Sequence, residues 1–343
     1  MGRRILAIIL LVVAISIAIM TPVLAFTPMG NSLLSRLAGA TPTPTATPSP
    51  TPLPPTPTPT PPKPVLTVVG LPPGLNVGAA YLLDNDTGHT LDDLHGETPL
   101  PMASTTKIMT AVIAIQSGNL DQVITIGQDA LNEVNNNNGS TAFLKVGDQI
   151  TLRNLLYALL LPSGDDAAIA IADGISGNSQ TFVKVMNIFA YRLKLFQTHY
   201  INPDGLTYYS ASNRPLPENY TTAYDLVRLA QYAMKLPLFA SIVKTTAYTL
   251  APGAHHHGYT WPTTNSLLAH ASDAPTVKVY PGATGIKTGF TVEAGGCLVF
   301  SATRNGHQLI GVVLGSANVT QRFLDAITLL NWGFSLPLRV PGT

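Results

Sequence analysis

Residues 41–64, which read TPTPTATPSPTPLPPTPTPTPPKP, set the organisation of the chain. Proline fixes the backbone φ angle and lacks an amide donor, so this stretch cannot enter a helix interior or join a sheet ladder. We expect an extended polyproline II spacer with a length on the order of 70 Å at ~3.1 Å per residue. We therefore expect the folded domain to follow the spacer, over residues 65–343.

The N-terminal residues 1–26 have the composition of an export or anchoring segment. A basic start, Gly2-Arg3-Arg4, precedes an uncharged apolar run over residues 5–20. The run approaches the ~20 residues that cross a bilayer, while Val23-Leu24-Ala25 has the small-residue pattern of a cleavage site. Signal peptide and N-terminal membrane anchor both stay open. In either case residues 27–64 form a Pro/Thr-rich extracytoplasmic linker, and the folded domain lies in the cell wall or at the membrane surface.

Composition excludes several classes of function. The formal net charge is +1, without clusters of lysine and arginine, so nucleic-acid binding is not expected. The single cysteine, Cys297, allows no intrachain disulfide. His255-His256-His257 are adjacent and point in different directions, which favours a loop over a metal site. We expect no zinc site.

The hydrophobic pattern predicts an α+β fold with an antiparallel sheet flanked by helices and an inserted all-helical region. Strands are expected at both ends of the domain, helices between them, and a helix last. The expected strands are 77–83, 90–94, 285–290, 297–302 and 309–314, and the expected helices are 104–115, 152–161, 167–172, 182–195, 222–234 and 321–330.

A hydroxyl and an amine stand three residues apart in Ser104-Thr105-Thr106-Lys107, at the head of an apolar run. Positions i and i+3 share a face of a helix, so the two groups can come within hydrogen-bond reach. A serine becomes a nucleophile when a neighbour takes its proton, which a neutral lysine can do. Alone, the pattern also fits a serine that caps a solvated helix.

Two further polar motifs follow: Ser163 stands 59 residues after Ser104, and Lys287 stands 124 residues after Ser163. Ser163-Gly164-Asp165-Asp166 forms a short corner between two apolar helices, where a catalytic side chain or a helix cap could stand. Lys287-Thr288-Gly289 lies on an expected strand: lysine and threonine can bind a carboxylate, and glycine lets a ligand backbone approach closely.

In this order the motifs resemble those of the serine penicillin-recognising enzymes, and the wider sequence resembles the D-alanyl-D-alanine carboxypeptidases. The resemblance covers roughly residues 77–330. The stretches that carry it include 160–168, 202–206, 222–226, 264–268, 285–291, 293–298 and 301–306.

The resemblance implies a reaction and its residues, and that reaction needs no metal and no organic cofactor. Ser104 would attack the carbonyl of the penultimate D-alanine of a peptidoglycan pentapeptide, and Lys107 would take its proton. Ser163 would relay a proton to the departing D-alanine. Backbone N–H groups of Ser104 and Phe290 would form an oxyanion hole. The substrate carboxylate would lie at Lys287, Thr288 and Gly289, and β-lactams would act as covalent inhibitors.

Asp165 departs from the family's usual second motif, which ends in asparagine. An ionised carboxylate only accepts hydrogen bonds. We retain Asp165 as a substrate-binding candidate, with two outcomes open. Either it pairs with a lysine and weakens that base, or it turns away and Asp166 matters more.

Two other functions remain as alternatives. A serine β-lactamase shares the nucleophile, and Glu218 is placed to activate a deacylating water, although the asparagine four residues later in class A enzymes is missing. A wall-tethered penicillin-binding module without turnover is the non-enzymatic alternative, motivated by Asp165.

Overall fold

The computed structural model describes residues 64–216, 219–272 and 274–340. The predicted N-terminal segment 1–26, the linker up to residue 63, and Glu218 lie outside the described residues.

The described residues contain thirteen β-strands and eight α-helices. The strands are β1 (Val65–Leu66), β2 (Ala79–Asp84), β3 (His89–Leu94), β4 (Leu100–Pro101), β5 (Val123–Thr125), β6 (Gln149–Thr151), β7 (Tyr220–Thr221), β8 (Ala247–Leu250), β9 (Tyr259–Pro262), β10 (Ala283–Thr291), β11 (Gly295–Arg304), β12 (His307–Ser316) and β13 (Leu338–Arg339). The helices are α1 (Lys107–Gln116), α2 (Gln128–Asn137), α3 (Leu152–Leu160), α4 (Asp165–Ser176), α5 (Ser179–Arg192), α6 (Ala223–Met234), α7 (Pro237–Val243) and α8 (Gln321–Ser335).

The central sheet has five antiparallel strands in the order β10-β11-β12-β2-β3. The hairpin predicted around Arg304-Asn305-Gly306 is present, with Arg304 paired to His307. The third motif lies on β10, an edge strand of this sheet, where one side of the strand is open to other parts of the chain. The predicted α+β fold is confirmed.

Side chains of alternate residues along the strands pack into two different hydrophobic cores, one on each face of the sheet. Leu82, Leu298 and Phe300 pack with Phe323 and other residues of α8 on one face. The opposite face, with Tyr81, Val299 and Val312, joins the larger core of the helical region. The sheet is therefore covered on both faces, and the helices between β3 and β10 form the predicted insertion.

Helix α1 lies at the centre of the larger core because its sequence KIMTAVIAIQ is apolar on nearly every face. Its first eight residues, Lys107 to Ala114, are buried. Two neighbouring helices begin at side-chain caps: the hydroxyl of Thr151 accepts from the amide of Asn154, and that of Thr222 from the amide of Asp225.

In the part of the chain that is described, no single helix combines the length and apolarity needed to cross a membrane. The pair α6 and α7 meets those criteria jointly, with a bend of 108° between the two helices.

Candidate active site

Ser104 lies in a 3₁₀ segment, Ala103–Thr106, that leads directly into α1. Its hydroxyl Oγ is 2.9 Å from Nζ of Lys107, so the predicted approach of the two groups is present. Lys107 has no exposed surface, whereas Ser104 is 9% exposed. The hydroxyl therefore faces the solvent side and the amine stands behind it.

The amine of Lys107 has three hydrogen-bond partners. It donates to Oγ of Ser104 at 2.9 Å, to Oδ1 of Asp165 at 2.5 Å and to the backbone oxygen of Asp204 at 2.8 Å. Asp165 pairs with a lysine, which is one of the two outcomes considered from sequence. Its side chain is also fully buried.

Three acidic side chains lie close together on the buried side of Lys107. Burial raises the pKa of Asp165 to about 7, against the opposing effect of Lys107, and the charge of Asp204 adds to the rise. Burial likewise raises the pKa of Asp204 to about 7, and Glu133 contributes to it. The pKa of Glu133 is raised by burial and by the charge of Asp165. This group of acids was not predicted from sequence.

Ser163 is joined to the third motif by a second buried amine. Nζ of Lys287 donates to Oγ of Ser163 at 2.9 Å and to the backbone oxygen of Thr288 at 2.9 Å. The φ angle of Ser163 is +68°, in the left-handed region that few residues other than glycine adopt. Such backbone strain is tolerated where the surroundings fix a side chain in a useful position.

Gly289 brings β10 against the segment that carries Ser104. A Cβ at this position would lie 3.1 Å from the amide nitrogen of Ser104 and 3.1 Å from the backbone oxygen of Met102. The absence of a side chain therefore allows the close approach of the two segments. The next residue, Phe290, is 48% exposed at the mouth of the cleft.

Arg322 of α8 is a site residue that the sequence did not reveal. One of its terminal nitrogens, Nη1, donates to the backbone oxygen of Gly289 at 2.8 Å. The guanidinium lines the same cleft as Ser104 and Thr288. Its only sequence signal is a lone arginine in the first turn of the last helix.

Ser104, Ser163 and the β10 residues line a cleft with a volume of about 290 Å³. The full lining comprises Ser104, Asn138, Ser140, Ser163, Thr264, Thr288, Gly289, Phe290, Val319 and Arg322. A neighbouring hollow of about 380 Å³ shares Thr264 with the cleft and contains Phe143 and Trp261. The hydroxyls of Ser104 and Ser163 and the side chain of Arg322 therefore belong to one cleft.

The turn at residues 202–206 packs against the segment that carries Ser104. The amide of Asn219 donates to Oγ1 of Thr106 at 3.0 Å and to Oδ1 of Asn202 at 2.8 Å. A Cβ on Gly205, whose φ is +94°, would lie 2.0 Å from the backbone oxygen of Ala103. The turn is therefore fitted to the backbone of the Ser104 segment.

The histidines at 255–257 do not join the cleft. Nδ1 of His257 lies 2.9 Å from Oδ1 of Asp148, which pairs the loop with the start of β6. Among the described residues, possible metal-ligand atoms lie within 4.8 Å of one another in one group, which consists of Asp84, Asp86 and His307. This group shares no residue with the cleft.

The sequence and structure resemble characterised proteins. Residues 68–318 match a protein family described as D-alanyl-D-alanine carboxypeptidase. A D-alanyl-D-alanine carboxypeptidase of Streptomyces sp. strain K15 is 40% identical over 286 residues, covering 80% of this chain and 89% of the relative. A D-alanyl-D-alanine endopeptidase of Pseudomonas aeruginosa is 34% identical, covering 77% and 79%. The crystal structure of the Streptomyces K15 DD-transpeptidase has a TM-score of 0.69 at 39% identity and covers 78% of this chain and 100% of that one.

Proposed function

This chain belongs to the D-alanyl-D-alanine carboxypeptidase family, and on that premise we propose that it removes the terminal D-alanine of peptidoglycan stem peptides through an acyl-enzyme on Ser104. The observation that carries the proposal is the contact of 2.9 Å between Oγ of Ser104 and Nζ of Lys107 at a cleft bordered by the Lys287-Thr288-Gly289 strand. A buried amine beside a hydroxyl is the arrangement that activates a serine nucleophile.

The first step forms the acyl-enzyme. Oγ of Ser104 attacks the carbonyl carbon of the penultimate D-alanine while its proton passes to Lys107. The amides of Ser104 and Phe290 hold the resulting oxyanion, each donor contributing about 3 kcal/mol to transition-state stabilisation. The close contact of Gly289 with the Ser104 segment supports this pairing of amides.

The departing D-alanine needs a proton and its carboxylate needs cations. The hydroxyl of Ser163 donates the proton and is replenished by the ammonium of Lys287, to which it is hydrogen-bonded at 2.9 Å. Thr288 and Lys287 hold the carboxylate, and Arg322 adds a guanidinium on the same wall of the cleft. Water then releases the shortened peptide.

Family members act on peptidoglycan peptides and bind β-lactams, so the protein works outside the cytoplasm. We place the catalytic domain at residues 65–343 and assign residues 1–26 to a membrane anchor or signal peptide. If residues 1–26 are an anchor, a spacer over residues 27–64 would hold the catalytic domain away from the membrane.

Two measurements on the full chain test the proposal. A synthetic peptide ending in D-Ala-D-Ala should lose one D-alanine, and intact-mass analysis after penicillin treatment should show one covalent increment. Ser104→Ala should lose both. An increment that survives in Ser104→Ala would place the nucleophile elsewhere, and β-lactam labelling without D-alanine release would leave a binding module.

The fate of the acyl-enzyme separates the enzyme from its nearest alternative. A long-lived penicillin adduct fits a carboxypeptidase, whereas rapid turnover of a chromogenic β-lactam would favour a β-lactamase. Because the similar protein of Streptomyces K15 is named a DD-transpeptidase, the peptide assay should be repeated with an added amine acceptor, so that transfer and hydrolysis are both measured.

A further inference from the structure

The amine of Lys107 has as many hydrogen-bond partners as an ammonium has N–H donors. A lysine ammonium has three N–H donors and no acceptor. All three acceptors around Nζ are in place: Oγ of Ser104, Oδ1 of Asp165 and the backbone oxygen of Asp204. An ammonium in this arrangement has no lone pair directed at Ser104. Such an ammonium can take the serine proton only if it releases one of its own.

Only one of the three acceptors can receive that proton. The backbone oxygen of Asp204 is a poor base, and Ser104 is the source of the incoming proton. Oδ1 of Asp165 remains, and at 2.5 Å it forms the shortest of the three contacts.

We propose that Asp165 is a positioning residue that acts through Lys107: it accepts a proton from the ammonium as the ammonium receives the proton of Ser104. The proposal rests on the acyl-enzyme at Ser104 proposed above. It gives Asp165 a role other than the substrate contact expected from sequence.

The protons balance over the whole cycle. In acylation the Ser104 O–H bond breaks and an Oγ–C bond forms, a proton joins Nζ of Lys107, and a different Nζ proton moves to Oδ1 of Asp165. The leaving amine takes its proton from the Ser163–Lys287 pair. In deacylation water returns a proton to that pair, and Asp165 returns its proton through Lys107 to Oγ of Ser104.

The surroundings of Asp165 suit a proton acceptor. The titratable groups that face it are Lys107 from α1, Asp204 from the 202–206 turn and Glu133 from α2. Two of these three are acids, and their negative charge favours the protonated form of Asp165. On its own helix, the neighbouring Asp166 is turned to the amides of Ala142 and Leu144. A carboxyl with its pKa raised to about 7 competes for a proton better than an exposed one.

If Asp165 and Lys107 formed only a structural ion pair, removal of Asp165 would have the opposite effect on the rate of acylation. If Asp165 only stabilised the ammonium, it would suppress the base, and its removal would speed acylation at neutral pH. If Asp165 accepts the proton, its removal slows acylation. The sign of the change therefore separates the two roles.

The experiment measures the second-order rate constant of acylation by benzylpenicillin from pH 5 to pH 10, using the full chain and Asp165→Asn. In the wild type we expect the rate constant to rise through about pH 7, as Asp165 ionises. In Asp165→Asn we expect a loss of about a hundredfold at pH 7 and a rise displaced to higher pH. Asp225→Asn, which changes a buried carboxyl that bonds Gln197 and Thr198, serves as the control with a wild-type profile.

Two outcomes overturn the proposal: an Asp165→Asn variant that reacts as fast as the wild type or faster at pH 7, or one slowed equally at every pH. If the variant does not fold, ¹³C NMR of labelled wild-type lysine side chains replaces it. Lys107 should remain an ammonium across the rise, and deprotonation of Lys107 with the same midpoint would refute the relay. Wild-type protein without a penicillin adduct at any pH would instead remove the acyl-enzyme proposal itself.

Discussion

Burial of Asp165 makes the stability of the catalytic domain depend on pH. Burial raises the pKa of Asp165 in the folded protein to about 7, from its ordinary value of 3.8. Below both values the carboxyl is protonated in the folded and unfolded states, and it makes no pH-dependent difference. Between them only the unfolded state is ionised, so the free energy of unfolding falls as pH rises.

The size of the change in unfolding free energy follows from the difference between the folded and unfolded pKa values of Asp165. Each pH unit between the two pKa values costs about 1.4 kcal/mol, which gives roughly 2 kcal/mol for Asp165 between pH 5 and pH 7. Asp204, with a pKa also raised to about 7, adds a change of the same sign. The domain is therefore expected to be more stable at pH 5 than at pH 7.

Guanidinium denaturation of the wild type and of Asp165→Asn at several pH values from 5 to 8 checks this expectation. The asparagine does not titrate, so its curve should fall less steeply by about 1 kcal/mol per pH unit. Thr264→Val, which removes no ionisable group, should parallel the wild type. Parallel curves for the wild type and Asp165→Asn would refute the assignment of a raised pKa to Asp165.

Three other substitutions have defined outcomes. Gly205→Ala forces a Cβ to within 2.0 Å of the backbone oxygen of Ala103, so it should lower the melting temperature and slow penicillin acylation together. Thr222→Ala removes the cap on the amide of Asp225 and should cost about 1 kcal/mol of unfolding free energy without changing kcat. Arg322→Gln should raise KM for a D-Ala-D-Ala peptide roughly tenfold, because a charged hydrogen bond to the carboxylate is lost; an unchanged KM would exclude that contact.

The parts of the site that follow from local chemistry could be predicted. The spacing of Ser104 and Lys107 predicts their contact, which the structure shows at 2.9 Å. The local backbone differs from the expected continuous helix: Ser104 lies in a 3₁₀ turn, because Ala103 enters it with a φ of +46° and the amide of Thr105 bonds the oxygen of Met102. The contact between Ser104 and Lys107 is kept in the 3₁₀ turn, whereas the expected start of the α-helix is not.

The sequence analysis allowed for a pair between Asp165 and a lysine, but not for a cluster of three acids around Lys107. The acids come from three separate segments. Glu133 lies on α2, Asp204 in a turn, and Asp165 at the start of α4. Nothing in the spacing of these residues indicates that they meet. The motif-like turn Asn202-Pro203-Asp204-Gly205 pointed to a structural corner, but not to the backbone oxygen that bonds the lysine.

The first and last strands of the described domain are partners: Val65 pairs with Arg339, and Leu66 with Leu338. The two ends of the folded chain are therefore adjacent, a geometry that tolerates circular permutation. A short peptide could join residue 340 to residue 64, and new termini could be opened at the exposed Asn305-Gly306 turn, without cutting any segment that lines the cleft.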